Sequence, residues 1–126
     1  MPSASDTKIL ILGASTNPVR FSYIAANALS NKGYDIVPVG LRPGVVAGKS
    51  ILDIRARPQI DKVDTITLYM NPKNQSGYLE YILGLDPRRI IFNPGTENNN
   101  LIDMAEKQGV EVVVDCTLVM LRSGYF

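Results

Sequence analysis

The segment Gly-Ala-Ser-Thr-Asn-Pro-Val-Arg-Phe-Ser at positions 13–22 brings together residue types suited to holding an anion. Gly13 has no side chain to block a close approach, Ser15 and Ser22 carry hydroxyl donors, and Arg20 carries a planar guanidinium. Ala14, Asn17 and Pro18 complete a turn into a helix, whose first free N–H groups and positive dipole end favour negative charge. Charge-assisted hydrogen bonds of this kind contribute about 1.5–3 kcal/mol each. With Ser15 and Pro18 where glycines would stand, the loop is not a Gly-x-Gly-x-x-Gly fingerprint. It also lacks the Gly-Lys-Ser/Thr ending of a nucleoside-triphosphatase loop, which argues against ATP hydrolysis.

Catalytic equipment is sparse. The sequence has no histidine, which removes the commonest general base and the usual metal ligand. No paired acids, nucleophile–base pair or metal-ligand cluster is recognisable, so no catalytic residue and no metal ligand is assigned. Cys116 is the single cysteine, so no internal disulfide can form, which fits a reducing, cytoplasmic setting. At a strand end it reads as a small buried hydrophobe. Net charge is +1, so attraction for an anion must be local, and neither nucleic acid nor a membrane surface is an expected partner.

The elements that position these residues follow from periodicity. Short apolar runs at Lys8–Leu12, Asp35–Val39, Thr65–Tyr69, Arg89–Phe92 and Glu111–Val114 read as buried strands. Phe21, Ile24, Ala25, Ala28 and Leu29 recur at helical spacing, and Gly33 ends that helix. Further helices are predicted over Pro72–Leu85 and Asn98–Gln108, with short ones near Ile54 and in the tail 117–126. Alternation of strand and helix predicts an α/β, Rossmann-like three-layer fold with a five-stranded parallel sheet in the order 3-2-1-4-5. One domain over residues 7–126, with residues 1–6 as a flexible tail, accommodates the chain.

Ligands of such sheets bind beyond the carboxyl ends of the strands, near the point where strand order reverses. The unusual residues collect there. Gly40, Arg42, Pro43 and Gly44 follow the second strand, Asn71-Pro72 the third, and Asn93-Pro94-Gly95 the fourth. Asn and Pro also serve helix starts, but convergence of four loops on one rim favours a shared ligand. A dinucleotide site usually has an acid after the second strand for the ribose hydroxyl. Here Val39-Gly40-Leu41-Arg42 has none, and Arg42 would attract a phosphate on that ribose. Coenzyme A and NADP both carry one.

The segments 13–22, Gly-Tyr-Asp-Ile-Val-Pro-Val-Gly at 33–40, Gly-Thr-Glu-Asn at 95–98 and Val-Val-Val-Asp-Cys at 112–116 are similar to the stand-alone CoA-binding proteins. That family is related to the amino-terminal domain of the succinyl-CoA synthetase alpha subunit, and the resemblance spans nearly the whole chain. It implies a pyrophosphate cradle of Gly13, Ala14, Ser15, Asn17, Pro18, Arg20 and Ser22. It implies adenosine and ribose-phosphate contacts from Val39, Gly40 and Arg42, with Tyr69, Asn71 and Pro72 bordering the nucleotide. Residues 93–98, among them Asn93, Gly95 and Asn98, would face the pantetheine. The implied role is non-catalytic or accessory binding of coenzyme A or an acyl-CoA. A small NADP-binding redox protein or sensor is the alternative, and a homodimer or a subunit beside a partner enzyme is left open.

Overall fold

The computed structural model describes residues 3–126. In chain order it contains β1 (Lys8–Leu12), α1 (Phe21–Asn31), β2 (Asp35–Gly40), β3 (Val45–Val46), β4 (Lys49–Ser50), β5 (Leu52–Asp53) and β6 (Val63–Leu68). Then follow α2 (Pro72–Gln75), α3 (Leu79–Gly84), β7 (Arg89–Phe92), α4 (Asn99–Lys107), β8 (Glu111–Val114) and α5 (Thr117–Ser123). Of the expected flexible tail, residues 1 and 2 lie outside the described residues, and Ala4–Asp6 form a single 3-10 turn. Among the described residues no helix is long and apolar enough to cross a membrane.

The apolar runs form the sheet because both of its faces are covered. Successive residues of β1 point to opposite faces, and Ile9, Leu10, Ile11 and Leu12 are all fully buried. Leu10 and Leu12 pack with Ile66, Leu68, Phe92 and the inner faces of α3 and α4. Ile9 and Ile11 pack with Ala26 and Leu29 of α1 and Leu121 of α5. Two helical layers therefore sandwich one sheet, as the alternation predicted.

The sheet has six parallel strands, not five, in the order β5-β2-β1-β6-β7-β8. The additional strand, β5, is two exposed residues long and carries no apolar run for a sequence pattern to register. It occupies the position beyond β2 that the five-strand reading gave to the segment 65–69. That segment lies instead beside β1, so the switch point falls between β1 and β6. Counted with β5, the order is 3-2-1-4-5-6, the doubly wound arrangement.

Three helical readings also change. The buried face of α1 is Ser22, Ala25, Ala26 and Leu29, one step round from the predicted stripe, and Phe21 is 69% exposed. The predicted helix over 72–85 is two pieces, broken at Gly77, whose φ of +87° is costly for other residues. Arg57 holds the break, donating to the Gly77 carbonyl at 3.0 Å and lying 4.8 Å over the Tyr78 ring. Near Ile54 the expected short helix is a 3-10 turn, Ile54–Ala56, preceded by the β3–β4 hairpin.

At the end of the sheet opposite the strand carboxyl termini, Arg88 forks onto Asp64, with Nε–Oδ1 of 2.9 Å and Nη2–Oδ2 of 3.1 Å. Hydrogen bonding from Arg88 holds the Asp64 carboxyl below its ordinary 3.8. A depressed carboxylate contributes stability above the unfolded value, and that contribution is lost as pH falls through the folded one. Asp64→Asn should therefore flatten the loss of stability on acidification below pH 3.8, measured by urea unfolding across an acid series.

Candidate functional site

The loop after β1 is shaped by two glycines. Gly13 has φ of +101°, and a Cβ there would stand 2.9 Å from the Tyr69 carbonyl carbon, at the end of β6. Gly40 has no such angle, but a Cβ on it would lie 2.7 Å from the Ala14 carbonyl oxygen. The loop therefore lies directly on the ends of β2 and β6. It is tied down there by the Val39 carbonyl, which accepts from Gly13 N at 2.8 Å and Ala14 N at 3.0 Å. Those two amides are occupied, so they are not the anion donors their position suggested. Val39, fully buried, and Gly40 hold the loop rather than face the cleft.

The remaining donors of the loop are arranged differently. Asn17 N donates to Ser15 Oγ at 3.0 Å, Val19 N to Asn17 Oδ1 at 3.1 Å, and Arg20 N to the Asn17 carbonyl at 3.0 Å. Tyr23 N and Ile24 N both reach the Arg20 carbonyl. Among the described residues, the amides of Ser15, Thr16, Phe21 and Ser22 have no protein acceptor. Two lie in the loop and two at the first turn of α1, where a helix leaves its N–H groups unpaired.

These groups open on a cleft of about 590 Å³ beyond the strand ends, the size of a small-molecule site. Gly13, Ala14, Ser15, Asn17, Arg20 and Ser22 line it from the first loop, and Arg42 from the loop after β2. Tyr69 and Asn71 line it after β6, and Gly95 after β7, within Pro94–Thr96. Its lining holds two arginines and no acid, so the local charge is +2 in a chain whose net charge is +1. Neither the Arg20 nor the Arg42 guanidinium has a protein acceptor among the described residues.

Six of the residues that sequence pointed to do not line the cleft. Besides Val39 and Gly40, Pro18 is an exposed turn residue, and Pro72 starts α2, where its fixed φ suits a first helical position. Asn98 caps α4 through Oδ1, accepting from Asn100 N and Leu101 N. Asn93 is 2% exposed and fully engaged: Nδ2 donates to Thr67 Oγ1 and the Leu68 carbonyl, and Oδ1 accepts from Thr117 N. It fastens β7 to β6 and α5. Conversely, Thr16, Leu41, Met70 and Asn74 line the cleft unforeseen, and so does Phe21, which the periodicity had assigned to the core. Only Asn74 left a sequence trace, since an Asn71 cap places position 74 on the first turn of α2.

Tyr69 lines the cleft, and its hydroxyl is buried. The neighbouring Thr67 and Thr117 hydroxyls bond to each other at 2.7 Å and leave it without a hydrogen-bond partner among the described residues. Burial pushes the phenol from 10.0 up to about 12. Cys116, expected to be buried, is partly exposed at the start of α5 and does not line the cleft.

Two substitutions test this construction. Gly40→Ala should cost about 1–3 kcal/mol in urea unfolding, because the backbone of the first loop must move to admit one methyl. Tyr69→Phe removes an unbonded buried hydroxyl and should leave stability unchanged or raised by up to about 1 kcal/mol at neutral pH. A phenol that ionises harder when folded destabilises the fold once pH exceeds 10.0, so Tyr69→Phe should also resist alkaline unfolding better than the parent.

Known proteins resemble this chain in structure or in sequence. A crystal structure of an uncharacterized protein superposes with a TM-score of 0.91 at 49% identity, covering 95% of this chain and 98% of that one. A conserved hypothetical protein from Pyrococcus furiosus superposes with a TM-score of 0.72 at 28% identity, covering 85% and 91%. The uncharacterized protein YneT of Bacillus subtilis is 24% identical over 109 residues, 86% of this chain and 79% of the relative. The family model described as a CoA binding domain matches residues 7–122, and with the whole sheet and the whole cleft inside that match, the chain belongs to the CoA binding domain family.

Proposed function

We propose that the cleft binds coenzyme A or an acyl-CoA and that the protein acts as a carrier, sensor or partner subunit rather than as a complete enzyme. The observation that carries this reading is the anion-ready wall: among the described residues, four unpaired amides and two unpaired guanidinia in a lining without a carboxylate. The amides of Ser15, Thr16, Phe21 and Ser22, with Arg20, suit a diphosphate. Arg42, across the cleft after β2, suits the phosphate on the ribose. The lining holds no carboxylate, imidazole, amine or thiol to move a proton, which favours holding a ligand over transforming it.

NADP also carries a ribose phosphate and is the second reading. Membership of the CoA binding domain family favours the first.

Calorimetric titration separates the two. Coenzyme A should bind, and dephospho-CoA should bind about tenfold more weakly for want of the Arg42 contact. Arg42→Ala should erase that difference while sparing dephospho-CoA. No heat with coenzyme A would remove the reading, and NADPH uptake that coenzyme A does not displace would transfer it to the redox alternative.

A further inference from the structure

The half of the cleft away from the first loop is built from two segments that no backbone ladder joins. One, 69–75, leaves β6 and contributes Met70, Asn71 and Asn74; the other, 94–98, leaves β7 and contributes Gly95 and Thr96. Among the described residues, the hydrogen bonds that join these segments all involve one side chain. Gln75 is fully buried, and its Nε2 donates to the Met70 carbonyl and to the Thr96 carbonyl, each at 2.8 Å. Its Oε1 accepts from Asn98 Nδ2 at 2.9 Å. Both amide hydrogens are used, one on each segment, and the oxygen is anchored to the cap of α4.

We propose that Gln75 is a positioning residue that sets the gap between the β6 and β7 loops and thereby selects for the pantetheine arm of the ligand. This rests on the coenzyme A reading above. The diphosphate wall is held separately, by the Val39 carbonyl on Gly13 and Ala14. The two halves of the ligand thus answer to different fasteners. An amide is the side chain suited to this place, because it donates twice and accepts once in a single plane. A carboxylate of the same shape would set one oxygen against both carbonyls and force the segments apart.

The test compares coenzyme A with 3′-phosphoadenosine 5′-diphosphate, which keeps adenine, the ribose phosphate and the diphosphate but lacks the arm. Gln75→Glu at about pH 8 should lose coenzyme A affinity by about tenfold or more, while affinity for the diphosphate changes by less than about threefold. Near pH 5 the buried acid takes up a proton, regains one donor, and should recover part of the loss. Expressing each affinity relative to the parent protein at the same pH cancels the ligand's own titration.

Asn98→Asp is the second variant. It keeps the oxygen that caps α4 but sets an acceptor against Gln75 Oε1, turning the Gln75 amide away from its carbonyls. It should weaken coenzyme A in the same selective way, by less. Unchanged coenzyme A affinity in both variants, or a pH-independent loss shared equally by coenzyme A and the diphosphate, would overturn the proposal. A parent protein that binds neither compound would bring down the coenzyme A reading and this one with it. A parent that binds both equally would leave that reading standing and overturn this one alone.

Discussion

One carbonyl, that of Val39, carries the architecture of the rim. By accepting from both Gly13 and Ala14 it turns the chain leaving β1 back over the end of β2. The turn is possible only because position 40 has no side chain and position 13 adopts a left-handed backbone. Everything downstream is set by that turn. The Gly13 and Ala14 amides are satisfied by the Val39 carbonyl, and those of Ser15 and Thr16 have no protein acceptor among the described residues. Helix α1 then enters at an angle that leaves its first two N–H groups on the cleft. A single methyl at Gly40 would push on this chain of consequences at its root.

The electrostatics of the cleft follow from omission as much as from supply. Two acids of the sheet are drawn into ion pairs, Asp64 with Arg88 and Asp53 with Arg55. That leaves two guanidinia without counter-ions around one concave space, in a protein with almost no net charge. Such a field is short-ranged and is screened beyond about 8–10 Å at ordinary ionic strength. It acts on charges inside the cleft, and it does little to attract polyanions from afar. Opposite the guanidinia, the buried amides of Asn93 and Gln75 fasten the loops with fully satisfied hydrogen bonds. A wall held in this way loses little further freedom when a ligand arrives.

The roles of individual polar residues were less readable than their location. Three Asn-Pro pairs marked the rim where the cleft lies, because a turn and a helix start need the same residues there that a ligand site does. Yet Asn93 turns inward to bind β6 and α5, and Asn98 caps a helix, while Asn71 and the first-loop Asn17 do line the cleft. Phe21 illustrates the reverse error. Its spacing fits an apolar stripe, but the small residues Ser22, Ala25 and Ala26 let α1 pack close on the sheet and rotate Phe21 outward. Periodicity registers which residues are apolar and is blind to the side-chain volumes that decide the final rotation.

By itself the amino-acid sequence determined the strand–helix alternation, the parallel sheet buried on both faces and the rim where unusual residues gather. These are local properties: runs of apolar residues, glycine at a left-handed turn, asparagine before proline. Tertiary structure alone decided the sixth strand, the neighbour of β6, the break at Gly77 and the separation of lining residues from fastening ones. Each of those depends on groups distant in sequence meeting across the sheet. A two-residue edge strand exists only because β2 offers it a ladder, and an amide becomes a fastener only where two carbonyls from other loops arrive within hydrogen-bonding distance.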